Sequence, residues 1–407
     1  MAGRRVAITG LGVLCALGRD RAEAWEALRT GRSGIVPIRA VDTTQLRFQN
    51  GAEIQGYDPS QHFEGNQADF LDRFAQFAVI AAREAMRDSG VSLSPALREN
   101  AAVVTGSCVG GQCTQDEGFV GLYKNGSPRV HPLTIPRTMS NAGASQVALE
   151  FGITGPTYNL STACSSSNHA LGLAMQMVRS GQAELALAGG CEAPFSMGFL
   201  KAWEAMRVIA PDTCRPFCKD RKGMVLGEGA AMLVLEPLEA AQARGARLYA
   251  ELAGFGMSSD AHHITQPSVE GPAKAMRSAL ADAGLRPEEI GYINAHGTGT
   301  PANDPTETRA IRAVFGEHAG RLAVSSTKSM HGHALGAAGA LEAVATALAL
   351  SEGVLPPTAN FTTADPECDL DVVPNQARAI AVGAALSNSF AFGGLNAVLA
   401  FRRFAGA

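Results

Sequence analysis

The sequence predicts an α/β protein with mixed sheets, built from two similar halves. Three observations carry this expectation. Strand and helix patterns alternate along all 407 residues, with no Pro- or Ser-rich linker between them. The order of those patterns occurs twice. The composition suits a large packed core, because 46% of residues are hydrophobic, 18% are charged and 45 are glycine. Low charge with high hydrophobicity excludes a disordered chain. A length of ~100–200 residues per domain allows about two to four units sharing that core. So little charge on so long a chain also implies an extra buried face, such as a subunit interface.

Each element of the repeat can be justified in order. The first half opens with a strand over residues 5–14, then an amphipathic helix over 77–90, then a strand ending in glycine over 101–111. The second half gives a strand over 249–260, a helix over 272–284 and a strand ending in glycine over 290–300. Residues 161–190 answer 325–357, each opening with small polar residues and running into a long Ala/Leu/Met helix. Residues 224–237 answer 387–401, each with a Gly pair between polar residues and a terminal apolar strand. The halves are therefore 1–245 and 246–407, meeting near 238–248, with the chemistry expected where they join.

Cys164 is the candidate nucleophile. It stands in S-T-A-C-S-S-S-N, at the start of a helix expected over 165–179. There it faces unpaired N–H groups and the positive end of the helix dipole. Both favour thiolate and predict a pKa below the ordinary ~8.5. Cys108, in G-S-C-V-G-G, is a candidate cavity wall. Cys214 and Cys218 form C-x-x-x-C with no second ligand pair, so no metal is implied. His296 follows a strand in N-A-H-G-T-G-T, and His333 precedes the long helix in K-S-M-H-G-H. The repeat sets the His333 segment against the Cys164 segment, and one Cys with two His suits nucleophilic acyl chemistry.

Other chemistries lack their signatures. There is no G-x-S-x-G elbow and no phosphate loop, and G-x-G at 10–12 lacks its third glycine. A net charge of −4 gives no electrostatic footprint for nucleic acid. The N-terminal apolar run, residues 6–18, is weakened by Thr9 and its glycines and has no A-x-A site, so it reads as a buried strand. The run over 334–350 contains Glu342 and reads as a buried helix. The chain is expected to be soluble and cytoplasmic, with no membrane partner.

Four motifs together resemble the β-ketoacyl-acyl carrier protein synthases. They are T-A-C-S-S-S (162–167), N-A-H-G-T-G-T with N-D-x-x-E (294–307), S-T-K-S-M-x-G-H-x-x-G-A-A-G (326–339) and S-N-S-F-x-F-G-G (387–394). The chain is similar to the type II elongating enzymes (KAS II-like) and to type II polyketide and nodulation-type ketosynthases. That resemblance implies the thiolase fold, a duplicated five-layered α-β-α-β-α core, usually dimeric. It implies an acyltransferase in which Cys164 holds the acyl chain while His296 and His333 promote decarboxylation of malonyl-carrier protein. It implies an oxyanion hole from the backbone N–H groups of Cys164 and Phe392. Lys328, paired with Glu342, would hold the histidines. Thr298 and Thr300 would bind the pantetheine arm, Phe390 and Phe392 would line the substrate path, and Val109 would line the end of the acyl pocket. Asp304 and Glu307 look structural. No cofactor is implied beyond the phosphopantetheine of the carrier protein. The partners implied are that carrier protein and either a second copy or a chain-length factor.

The departures are informative. Ala391 stands where the family has Gly at the gating loop, which predicts a restricted swing. His331 stands where Thr is usual. This change and A-P-D-T-C-R-P-F (210–217) resemble the nodulation-type enzymes and imply a specialised synthase for an unusual or polyene chain. The alternatives are a housekeeping elongation synthase, a non-catalytic chain-length partner, which would lack Cys164, and a thiolase or hydrolase. A thiolase typically needs a second catalytic cysteine near the C-terminus, where this chain has only Cys368.

Overall fold

The computed structural model describes residues 3–404. Ten strands form its framework: β1 (Val6–Cys15), β2 (Ala101–Gly106), β3 (Thr157–Leu160), β4 (Leu185–Glu192), β5 (Gly229–Pro237), β6 (Ala250–Ser259), β7 (Tyr292–Asn294), β8 (Ala323–Ser325), β9 (Ala384–Ala391) and β10 (Leu395–Arg402). They run in the order β8-β7-β9-β10-β6-β1-β5-β4-β2-β3. Between β6 and β1 the join is slight, with Ala7 opposite Glu251 and Ile8 opposite Ala250. It divides the array into two five-stranded mixed sheets. Counted within its own half, each sheet reads 3-2-4-5-1, so the repeat seen in the sequence is a repeat of topology.

Six helices matter for the site: α1 (Arg73–Ser89), α2 (Ser166–Ser180), α3 (Met197–Met206), α4 (Glu270–Ala283), α5 (Asn303–Phe315) and α6 (Ala338–Glu352). Helix α1 covers the outer face of the first sheet and α4 that of the second, while α2 and α6 lie between the sheets. Three apolar layers result, one in the middle and one under each outer helix. Helix α6 is buried on every side up to Leu350 because both sheets cover it, and its one buried charge, Glu342, faces the site. The apolar stretch Leu335–Glu352 is 89% buried, which fits a core helix.

The glycines of the first strand of each half have a packing role. A Cβ on Gly12 would lie 1.9 Å from the Ala81 carbonyl oxygen of α1, and one on Gly256 would lie 2.1 Å from that of Ala275 in α4. The G-x-G at 10–12 is therefore a helix-docking surface, answered by Gly254 and Gly256.

Two sequence correspondences need correction. Strand β4 is answered by β9, whereas residues 354–355 pair with 378–379 in a small separate sheet. Strand β5 is answered by β10 alone. In the second half these two strands form a direct hairpin, while in the first half residues 193–228 intervene. The strand expected over 290–300 ends at Asn294, and the rest is an irregular turn that carries His296.

Candidate active site

Cys164 lies between β3 and α2 on a turn closed by its own serines. Ser166 Oγ accepts from Thr162 N at 2.9 Å and donates to the Ala163 carbonyl at 2.6 Å. Ala163 is held at φ +50, a left-handed conformation that a non-glycine residue adopts under strain. The Cys164 thiol is buried, and the N–H groups of Cys164 and Phe392 both point at it. Burial pushes this thiol up to about 11, against the pull of Lys328 and those two N–H groups. This corrects the expectation from the helix start alone. Loss of solvent outweighs the oriented donors, so the resting form is the thiol.

His296 hangs on the turn after β7. Glu307 of α5 accepts from His296 N at 2.9 Å and Gly297 N at 2.8 Å. Asp304 accepts from Gly299 N at 3.1 Å and Phe217 N at 2.7 Å. These two buried carboxylates shape the turn that carries the histidine and the two threonines. Burial lifts the Asp304 carboxyl to about 6.

His333 accepts at Nδ1 from the Leu335 N–H at 3.1 Å, which assigns its proton to Nε2. That Nε2 is buried with no partner among the described residues. His296 Nδ1 faces Lys328 Nζ at 3.4 Å, and the ammonium can only donate, so His296 also carries its proton on Nε2. The two rings meet edge to face at 5.4 Å. Burial, then the Lys328 charge, holds both imidazoles well below the usual 6.5, so both are neutral near pH 7. Lys328 has no exposed surface and is paired with Glu342 of α6.

Two cavities meet at Cys164. The first, about 290 Å³, is lined by His296, His333, Thr298, Thr300, Phe390 and Ala391. The second, about 390 Å³, is lined by Cys108, Val109, Phe199, Trp203 and Leu335. Cys164, Met206 and Phe392 border both. The Phe392 ring stacks on Trp203 at 6.1 Å and forms the partition. Thr298 and Thr300 hydroxyls lie 2.9 Å apart in the first cavity. Phe390 is also there, 6.0 Å from the His296 ring. Ala391 closes β9 as ordinary strand, and the positive φ values fall on Gly393 (+83) and Gly394 (+70). The positions of this loop that take a left-handed conformation thus follow Phe392.

The chain matches the family model of the β-ketoacyl synthase N-terminal domain over residues 3–241 and that of the C-terminal domain over 249–362. The chain belongs to the β-ketoacyl synthase family. It is 51% identical to nodulation protein E of Rhizobium sp. (strain N33), over 98% of this chain and 99% of that one. It is 42% identical to 3-oxoacyl-[acyl-carrier-protein] synthase 2 of Synechocystis sp. (strain ATCC 27184 / PCC 6803 / Kazusa), over 98% of each chain. The solved ishigamide ketosynthase/chain length factor superposes with a TM-score of 0.95 at 39% identity, covering 99% of this chain and 100% of that one.

Two residues of this ketosynthase site were not anticipated. Trp203 stands on the inner face of α3, and an amphipathic helix carrying one of only two tryptophans was the available signal. Glu192 closes β4 as the one charged residue of an otherwise apolar strand. Its four hydrogen-bond donors come from distant segments, which no local pattern reveals. His331, noted as a departure, is buried between Thr327 Oγ1 at 2.9 Å and the Gly332 carbonyl at 2.8 Å.

Proposed function

We propose that the chain is the catalytic ketosynthase of a type II system. It joins an acyl chain held on Cys164 to malonyl-carrier protein by decarboxylating Claisen condensation. The observation that carries this reading is the meeting of Cys164 with two neutral histidines whose Nε2–H groups are both free to donate. Acyl-carrier protein delivers its thioester through the first cavity, past Thr298 and Thr300, and the acyl chain lodges in the second. The Cys164 sulfur attacks the thioester carbonyl, and its proton leaves on the pantetheine thiol. The Cys164 and Phe392 N–H groups stabilise the oxyanion, with each donor worth ~2.7–4 kcal/mol in well-measured cases. Malonyl-carrier protein then loses CO2, and the enolate oxygen accepts from His296 and His333. The enolate carbon attacks the acyl-Cys164 carbonyl, the tetrahedral oxyanion collapses, and Cys164 leaves and regains a proton. The product is a 3-oxoacyl-carrier protein.

The aromatic wall of Phe199, Trp203 and Phe392 favours a flat, conjugated acyl chain over a saturated one. The working unit is a dimer in the cytoplasm, either of two copies or with a chain-length factor, and needs no cofactor of its own. Trapping the acyl-enzyme by mass spectrometry and then adding malonyl-carrier protein tests the reaction. Wild type forms the adduct and discharges it as 3-oxoacyl product, Cys164→Ala does neither, and elongation by Cys164→Ala would refute the assignment. Comparing 2,4-dienoyl with saturated carrier-protein substrates tests the chain type, and equal or faster turnover of the saturated chain refutes that part alone.

A further inference from the structure

Glu192 has no exposed surface, and the four hydrogen bonds its carboxylate accepts come from neutral groups. The donors are Ser107 Oγ at 2.9 Å, Cys108 N at 2.8 Å, Val109 N at 3.3 Å and Gly336 N at 3.0 Å. Three belong to the turn after β2, where Cys108 and Val109 form one wall of the acyl cavity. The fourth follows Leu335, which forms another wall of the same cavity. Leu335 is held at φ +48, an outlying conformation for a bulky residue, which the surroundings must enforce. Its N–H is the group that bonds His333 Nδ1. The approach is close, because a Cβ on Gly336 would lie 2.5 Å from Glu192 Oε2 and 2.6 Å from Cys108 N. One carboxylate therefore clasps an acyl-cavity wall to the turn that sets the tautomer of a histidine.

We propose that Glu192 is a positioning residue for His333: it holds the strained Leu335–Gly336 turn against the Cys108–Val109 wall so that the Leu335 N–H keeps the His333 proton on Nε2. An acyl chain on Cys164 fills the space between those walls. The clasp thereby links a loaded pocket to a histidine ready for the malonyl step. This inference rests on the ketosynthase reading, and it separates the two half-reactions. Acylation of Cys164 does not need the His333 donor, whereas the malonyl step does.

The test measures both half-reactions in wild type, Glu192→Gln, His333→Asn and the double variant. Acyl-Cys164 formation is followed by intact-protein mass and the malonyl step by CO2 release from malonyl-carrier protein. E192Q should slow the malonyl step roughly tenfold or more and acylation by a short acyl substrate, which makes least use of the Cys108–Val109 wall, at least about threefold less than that, yet slow the malonyl step less than about twofold further in the H333N background. Equal slowing of both steps by E192Q, or the same loss with and without His333, overturns the proposal. Should E192Q not accumulate folded, E192D, which keeps the charge but draws it back by one methylene, reads the same ratio. Loss of the fold in both variants also counts against it, since the role would then be structural. A wild-type protein that fails to acylate Cys164 overturns the ketosynthase reading instead.

Discussion

A lysine without exposed surface is stable at the centre of this site because Glu342 shares its burial. Removing one partner strands the other charge. Lys328→Ala is therefore expected to destabilise the protein by about 3–5 kcal/mol, visible as a lowered thermal midpoint. Replacing both partners with apolar residues (K328M with E342L) should restore most of that stability without restoring condensation, because His296 loses the donor at its Nδ1. A double variant as unstable as K328A would refute this view of the pair. The protonation states give a second expectation. Both His296 and His333 are held well below 6.5, so they stay neutral as pH falls through 6.5, and on the proposed mechanism the malonyl step should show no acid limb there. The Cys164 thiol is pushed up to about 11, so its thiolate fraction climbs about tenfold per pH unit across the neutral range. Iodoacetamide alkylation of Cys164 should still be accelerating above pH 9, and a plateau below pH 8 would contradict the burial argument. Cys164, His296 and His333 were legible in the sequence because small-residue turns beside helix and strand ends mark them. The direction of the Cys164 shift was not legible, since it depends on burial in a site whose facing residues, Phe390 and Ala391 of β9, lie more than 220 residues away.

The elements show the same division between local and assembled information. The outer helices and the strands they cover are readable from apolar periodicity alone. The pairing of β4 with β5 is hidden, because the intervening residues 193–228 include α3, which has no counterpart in the second half. That insertion supplies Phe199, Trp203 and Met206, the acyl-cavity wall, so the part of the fold least visible in the repeat is the part that shapes the substrate pocket. Val109 faces this wall from the turn after β2. Val109→Phe should fill the deep end of the cavity and shorten the longest chain elongated, as read from product masses, while leaving turnover of the shortest acyl substrates largely intact. Unchanged product length would remove Val109 from the pocket's list of determinants. Helix docking makes an independent prediction. Gly12→Ala and Gly256→Ala each drive a methyl group into a helix carbonyl. Overpacking of this kind costs typically ~1–3 kcal/mol. Both variants should lower the thermal midpoint, and by similar amounts, because the two positions are equivalent in the repeat.

At the scale of the whole molecule, the ends of the ten-strand array differ. The β8 end is covered, with Val324 N donating to the Asp371 carbonyl at 2.8 Å. The β3 end is open, and Tyr158 on that strand is 49% exposed. Leu149, on the helix Ala142–Phe151 that packs against β3, and Met139, just before that helix, also hold large apolar surface in solvent. An open strand edge flanked by apolar side chains is a template for pairing with another chain. The second cavity adjoins this edge through Ser161, the residue after β3, so a partner seated there would close the acyl pocket from outside. Assembly and chain binding are therefore expected to fail together. On the proposed dimer, Tyr158→Asp combined with Leu149→Asp should halve the mass seen by light scattering and reduce acylation of Cys164 by long chains more than by short ones. If the purified chain alone already has twice its own mass, the partner is a second copy. If that mass appears only when a chain-length factor is co-expressed, the dimer is a heterodimer. A variant that is monomeric yet loads long chains as well as wild type would show that the open edge has no part in forming the pocket.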